Sequence, residues 1–262
     1  MIGIRSKLAN HASTFLACLF VISLFDFLFL TNLVQAQAQP PATGTAKRTI
    51  AVWFGGTEEE KKYGSIKNEV ELLALNLGFS GLGEGLLVDR LVEGSQKRIP
   101  AEKLLVALKD ETRRLQSIAR ILSERGLFPV GEADGLAAEA SLLLRAGLGE
   151  SEFATALDAT AELVDLKTPL PKVQRVLTAL STALAIHARF PLEVGDRQKL
   201  ITALVLSRIP RERFGSLVSL FARGKASGMS QSRMCALVIE YASSGATMER
   251  IERELERRIR TP

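Results

Sequence analysis

Two cysteines, two histidines, two tyrosines and one tryptophan are all that 262 residues supply of those types. Two cysteines cannot staple a disulfide miniprotein. Two histidines leave little material for a histidine-built metal site or acid–base apparatus. Charge of one sign is also missing, because 34 basic and 29 acidic side chains are interleaved along the chain. That balance leaves no nucleic-acid footprint. What is abundant is apolar: 47% of the residues against 24% charged, the composition of a folded protein rather than a disordered or collagen-like one.

The apolar residues are unevenly placed. Residues 1–14 carry Arg5 and Lys7, and residues 15–30 (FLACLFVISLFDFLFL) are apolar apart from Ser23 and Asp26. A charged region, an apolar region and then VQAQAQPP with small residues at −3 and −1 predict a signal peptide over residues 1–38, cut after Ala36 or Ala38. The competing reading is an uncleaved N-terminal anchor, the chain's one membrane contact; against it, Asp26 costs about 2.5–3.5 kcal/mol mid-membrane. Either way the remainder is expected to be exported, to the periplasm or beyond. The exported part keeps one cysteine, Cys235, and one histidine, His187. An unpaired cysteine in such a protein is either buried or paired between chains; Cys235 lies on an apolar helix face, which favours burial.

Residues 39–64 read as a flexible linker, because residues 39–48 (QPPATGTAKR) mix Pro, Gly, Thr and Ala. Within it, residues 49–54 (TIAVWF) form the one cluster of strand-favouring residues. A lone strand has nothing to pair with, so the segment either plugs a groove on the body or offers Trp53 and Phe54 as docking residues for a partner.

Residues 65–262 show helical spacing: Leu104, Leu108, Leu115, Ile118 and Leu122; Val173, Leu177, Leu180 and Leu184; Met248, Ile251, Leu255 and Ile259. About ten short amphipathic helices and no sheet are expected, closed by glycines such as Gly94, Gly126, Gly147 and Gly245. The fold class is all-α, with helices packed as antiparallel hairpins in a solenoid-like array or an irregular bundle.

A six-residue signature recurs at the expected helix starts: IPAEKL from Ile99, LGESEF from Leu148, TPLPKV from Thr168, IPRERF from Ile209, MSQSRM from Met229 and ATMERI from Ala246. Position six is always apolar, and position five is basic in every copy but one. With position two as the N-cap, positions one and six become N′ and N4, whose side chains meet as a hydrophobic staple. The starts are 49, 20, 41, 20 and 17 residues apart, near multiples of a helix-plus-turn unit. The I-P-x-E-[KR]-[LF] starts at Ile99 and Ile209 resemble a loose group of uncharacterised bacterial secreted helical proteins with recurring V-P-x-E-[RK]-[IL] segments. The likeness implies an exported helical-repeat protein and brings no activity with it.

Chemistry is thinly supported. Glu150-Ser151-Glu152-Phe153 matches the E-S-x-F that opens the motif of lytic transglycosylases, where a glutamate is the general acid; the G-L-M-Q-type segment that should follow is absent. The glycine-rich stretch 78–85 has the wrong spacing for a dinucleotide fingerprint and follows a helix. His187 falls on an apolar helix face, where a packed ring with one polar contact is expected. Asp158, Glu162 and Asp165, at i, i+4 and i+7, could align as carboxylates but read as a solvated face. No catalytic, cofactor-binding or metal-binding residue is therefore expected. The predicted function is an exported, non-enzymatic interaction or structural module of the cell envelope, partnered by an envelope protein or by itself. The rivals are a peptidoglycan hydrolase and a carrier of a small apolar ligand.

Overall fold

The computed structural model describes residues 49–129 and 131–260. The signal peptide expected over residues 1–38 lies outside them. The described chain is all-α, with no strand among the described residues. Its helices are α1 (Ile50–Phe54), α2 (Glu58–Lys61), α3 (Lys67–Phe79), α4 (Gly85–Gln96), α5 (Ala101–Glu124) and α6 (Ala133–Arg145). They continue with α7 (Glu150–Asp158), α8 (Pro169–Arg189), α9 (Val194–Leu206), α10 (Ser216–Ala226), α11 (Gln231–Ser243) and α12 (Met248–Arg260).

The recurring signature turns out to be half of a longer device. At Ile99, Leu148, Met229 and Ala246 the backbone N–H donates to the carbonyl five residues earlier, at Gly94, Leu143, Gly224 and Tyr241, over 3.0–3.2 Å. That bond closes the preceding helix in a Schellman turn, which needs a left-handed residue just before it. Gly147, Gly228 and Gly245 supply it in three turns, and Arg98, at φ 53°, supplies it in the fourth. One apolar residue thus ends one helix and introduces the next. The next residue is then the N-cap: Pro100 for α5, Gly149 for α7, and Ser230 for α11, where the hydroxyl accepts from Arg233 N–H at 3.3 Å. Two copies depart from the expected frame. Thr168, at position one, is the N-cap of α8 because Pro169 and Pro171 fill its first turn, and IPRERF opens a short 3-10 turn (Arg211–Arg213) before α10.

Side-chain rungs show how alternate helices run. Lys109 on α5 bonds Glu69 on α3, and seven residues further on Gln116 Nε2 donates to Asn76 carbonyl at 3.3 Å. Both links span 40 positions, so α3 and α5 point the same way. Ser117 donates to Glu150 at 2.7 Å and Arg125 Nε to Asp158 at 2.7 Å, both across 33 positions, so α7 points the same way again. Further along, α8 packs against α6, α7, α9 and α10, and α11 against α9, α10 and α12. Elements in substantial contact are near neighbours in sequence, which is the organisation of an array.

One apolar core runs through the body. Leu104, Leu108, Leu115, Ile118 and Leu122 of α5, Val173, Leu177 and Leu180 of α8, and Met248, Ile251 and Leu255 of α12 are all buried in it. Opposite that stripe, α12 is charged. Glu254 is the exception, buried beside the stripe; it accepts from Arg257 and Arg258 at 2.7 Å, and those two hydrogen bonds hold its carboxyl down at about 2.

The linker expected over residues 39–64 is not what residues 49–64 form. Residues 50–54 are helix rather than strand-like, because the Thr49 hydroxyl caps the segment by accepting from Val52 N–H at 3.2 Å. Glu84, at the start of α4, accepts from Ile50 N–H at 3.1 Å and ties this helix to the body. Among the described residues helix is thus already present at Ile50, ahead of residue 65. Trp53 is 1% exposed, with its ring against Phe54 at 4.9 Å and Tyr63 at 5.9 Å, and the Tyr63 hydroxyl donates to Ile99 carbonyl at 2.8 Å.

Two stability outcomes follow. Trp53→Ala empties a buried site and lowers unfolding stability by about 3–5 kcal/mol, read in urea melts. Arg98→Gly relieves a left-handed residue that bears a Cβ and raises stability by about 1 kcal/mol, whereas Gly147→Ala in the equivalent turn lowers it.

Candidate functional site

The docking residues expected from the sequence, Trp53 and Phe54, are both buried and offer no surface to a partner. Their role is packing. The correction follows from the helix: winding residues 50–54 turns Ile50, Trp53 and Phe54 inward together and leaves Ala51 and Val52 outside.

What α1 borders is an open groove of about 660 Å³, lined by Ile50, Ala51, Ala74, Leu75, Gly78 and Phe79, with Glu71, Leu82 and Glu84 completing it. The groove runs beside α3, a helix that carries apolar residues on more than one face between its polar ones. Val70 and Leu77 are buried. On another face Leu72 is 60% exposed, Leu75 62% and Phe79 89%. These three lie at i, i+3 and i+7 and form one stripe. A projecting ring and a trough lined with small residues thus sit side by side.

The loop after α3 fixes the end of that stripe. Gly83 N–H donates to Asp134 on α6 at 2.8 Å, and a Cβ on Gly83 would stand 2.5 Å from the same carboxylate. Gly81 sits at φ 76°. The glycine-rich stretch is therefore a pinned connector, and the one carboxylate it meets is the protein's own.

The other residues singled out from the sequence have structural partners. Glu150 is exposed in the first turn of α7 and accepts from Ser117. A general acid at neutral pH needs the opposite setting, a desolvated carboxyl. Glu152 instead turns inward: it receives Arg197 of α9 in a fork, at 2.8 and 2.7 Å, and caps Gly149 N–H at 3.0 Å. His187 Nδ1 accepts from Leu192 N–H at 3.0 Å and closes the turn after α8. Asp158 is the last residue of α7, so it shares no helix face with Glu162 and Asp165; it holds Arg125 in a fork instead. Among the described residues no group of three or more His, Cys, Asp or Glu could hold a metal ion. No described helix is long and apolar enough to cross a membrane.

The sequence reading missed Leu72, Leu75 and Phe79. Their signal was an excess: α3 carries Val70, Leu72, Leu73, Leu75, Leu77 and Phe79, more apolar residues than one core-facing stripe needs. Comparison with protein-family models, with curated proteins and with solved structures found no match.

Cys235 is 1% exposed, and burial, reinforced by Asp196, pushes its thiol up to about 11. It should therefore resist a thiolate-directed reagent at pH 8 and label stoichiometrically only once denaturant unfolds the chain. Labelling of the native protein at the rate of a free thiol would contradict that burial.

Proposed function

We propose that this chain is an exported, non-enzymatic interaction module of the cell envelope, and that it works by pairing with a second copy of itself through the exposed face of α3. The observation that carries the reading is the apolar stripe Leu72–Leu75–Phe79 beside its own groove. Helical arrays need a polar outer face at each end, and an end without one is a place to stack. Among the described residues the row of like-directed helices α3, α5 and α7 ends at α3 with this apolar face, whereas α12, at the other end of the described array, turns charge outward.

That difference between the ends selects the symmetry. A head-to-tail chain would set the apolar stripe against arginines and glutamates, which is unfavourable. A two-fold operation instead brings stripe to stripe, with the groove at its side, a self-complementary contact. A hetero-partner with an apolar helix would use the same surface, and an experiment separates the two.

Sedimentation of the chain from Gln39 onward should show a concentration-dependent dimer. Phe79→Ser with Leu75→Ser should make it monomeric, with stability held within about 0.5 kcal/mol because both side chains are exposed. A chain that stays monomeric at high concentration, or a dimer that survives the double substitution, would overturn the self-pairing reading.

A further inference from the structure

Glu111 lies in the middle of α5 and its side chain is 6% exposed. A buried carboxylate needs about one cation and a few hydrogen bonds to be held. Glu111 has those from two groups: Arg114, one turn on, bonds Oε2 at 2.6 Å, and the Ser141 hydroxyl of α6 donates to Oε1 at 2.7 Å. Two further guanidinium groups nevertheless converge on it. Arg90 of α4 stands with Nε 3.5 Å from Oε1, and Arg145, at the end of α6, with Nε 3.9 Å from Oε2.

The surplus is real after the neighbours are included. Arg90 also bonds Glu93 at 2.6 Å, but Glu93 itself holds Lys97 at 2.7 Å, so that extra carboxylate arrives with its own cation. Four cations thus face two carboxylates, and Asp89, beside Arg90, leaves the balance positive. Burial and the nearness of Arg90 both press on the charged form of Arg145. Among the described residues the Arg145 side chain forms no hydrogen bond with another side chain or the backbone, because its approach to Glu111 exceeds hydrogen-bond reach. The Arg90 and Arg114 side chains are 22% and 25% exposed, against 32% for Arg145, so all three can be reached from solvent. Three guanidinium groups from three helices surround one buried carboxylate and outnumber what Glu111 can accept.

We propose that Arg90, Arg114 and Arg145 form a binding site for a phosphate group, carried by a small solute or by a lipid headgroup. A tetrahedral oxyanion has the charge and the several acceptor oxygens to engage the guanidinium groups in excess of Glu111, and arginine forks match that geometry. Glu111 holds the three forks in register from below and, by competing for them, sets the affinity. The site does not depend on pairing through α3, and its test is separate.

The probe is pyrophosphate, followed by calorimetry and by the thermal midpoint of the full exported chain from Gln39. Saturable binding with a rise in midpoint is expected. Arg145→Gln should weaken it about tenfold or more. Arg113→Gln, which removes a 78%-exposed arginine paired with Asp110 on the same helix, should leave binding unchanged. Glu111→Gln should tighten it several-fold while lowering the midpoint of the free protein, a pairing of effects that a purely structural ion cluster would not produce. Should Glu111→Gln fail to fold, Arg114→Gln and Arg145→Gln remain as the test, each expected to lose affinity. Sedimentation with vesicles of phosphatidylglycerol or of phosphatidylcholine separates the sources. Binding to the anionic vesicles that pyrophosphate displaces points to a headgroup; pyrophosphate binding without vesicle binding points to a soluble phosphate. Absence of any pyrophosphate binding at millimolar concentration, or binding that Arg114→Gln and Arg145→Gln both leave intact, would overturn the proposal.

Discussion

The shared residue at four of the turns, which closes one helix and introduces the next, is the constraint from which the rest follows. Ile99, Leu148, Met229 and Ala246 each commit their N–H to the carbonyl five residues back, so the chain cannot leave a helix without setting the direction of the next one. Close packing at the same turns reinforces it. Gly94 lies so near Leu104, and Gly224 so near Met234, that a Cβ on either would meet side-chain atoms at 2.4 and 2.3 Å. Between alternate helices, Lys109 beside Glu69 and Arg125 beside Asp158 mark the row of like-directed helices.

Polar contacts then fasten what the turns arrange. Arg175 of α8 reaches the end of α9 and donates to the carbonyls of Leu204, Val205, Ser207 and Ile209 at 2.5–3.1 Å, while its guanidinium lies 5.0 Å from the Phe214 ring. Leu204 and Val205 belong to the last turn of α9, whose carbonyls a helix end leaves without an intrahelical partner, and Ser207 and Ile209 lie in the connector after it. The fork between Glu152 and Arg197 does the same between α7 and α9. Such contacts add specificity of register more than net stability, since each buried ion must first be desolvated.

Helix class and the core faces were legible because period and capping are local properties. The stripes on α5, α8 and α12 are buried as their spacing implied, except that Leu184 and Ile259, at the ends of two of them, are half-buried. Residues 49–54 were not, because a β-branched and aromatic hexapeptide favours strand by itself, and only the Thr49 cap and the distant Glu84 carboxylate decide for helix. The surface of α3 was legible only as an excess of apolar residues, since periodicity cannot say which of two faces the rest of the chain will cover. The one signature copy without a basic fifth residue was informative in retrospect: Glu152 departs from the pattern because it points into a buried ion pair. Arginines 90, 114 and 145 lie on three helices, 24 and 31 residues apart, and no linear pattern unites them.

The near-neighbour character of the contacts reaches into how the molecule forms. Because α3 meets α5, α6 meets α8 and α9 meets α11, closing each contact takes a short loop and little chain entropy. Chains of this kind fold fast and can start from any stretch that has several helices in hand. The segment from α3 to α6 can therefore collapse before α12 has been synthesised, and that charged helix is added to a structure already standing.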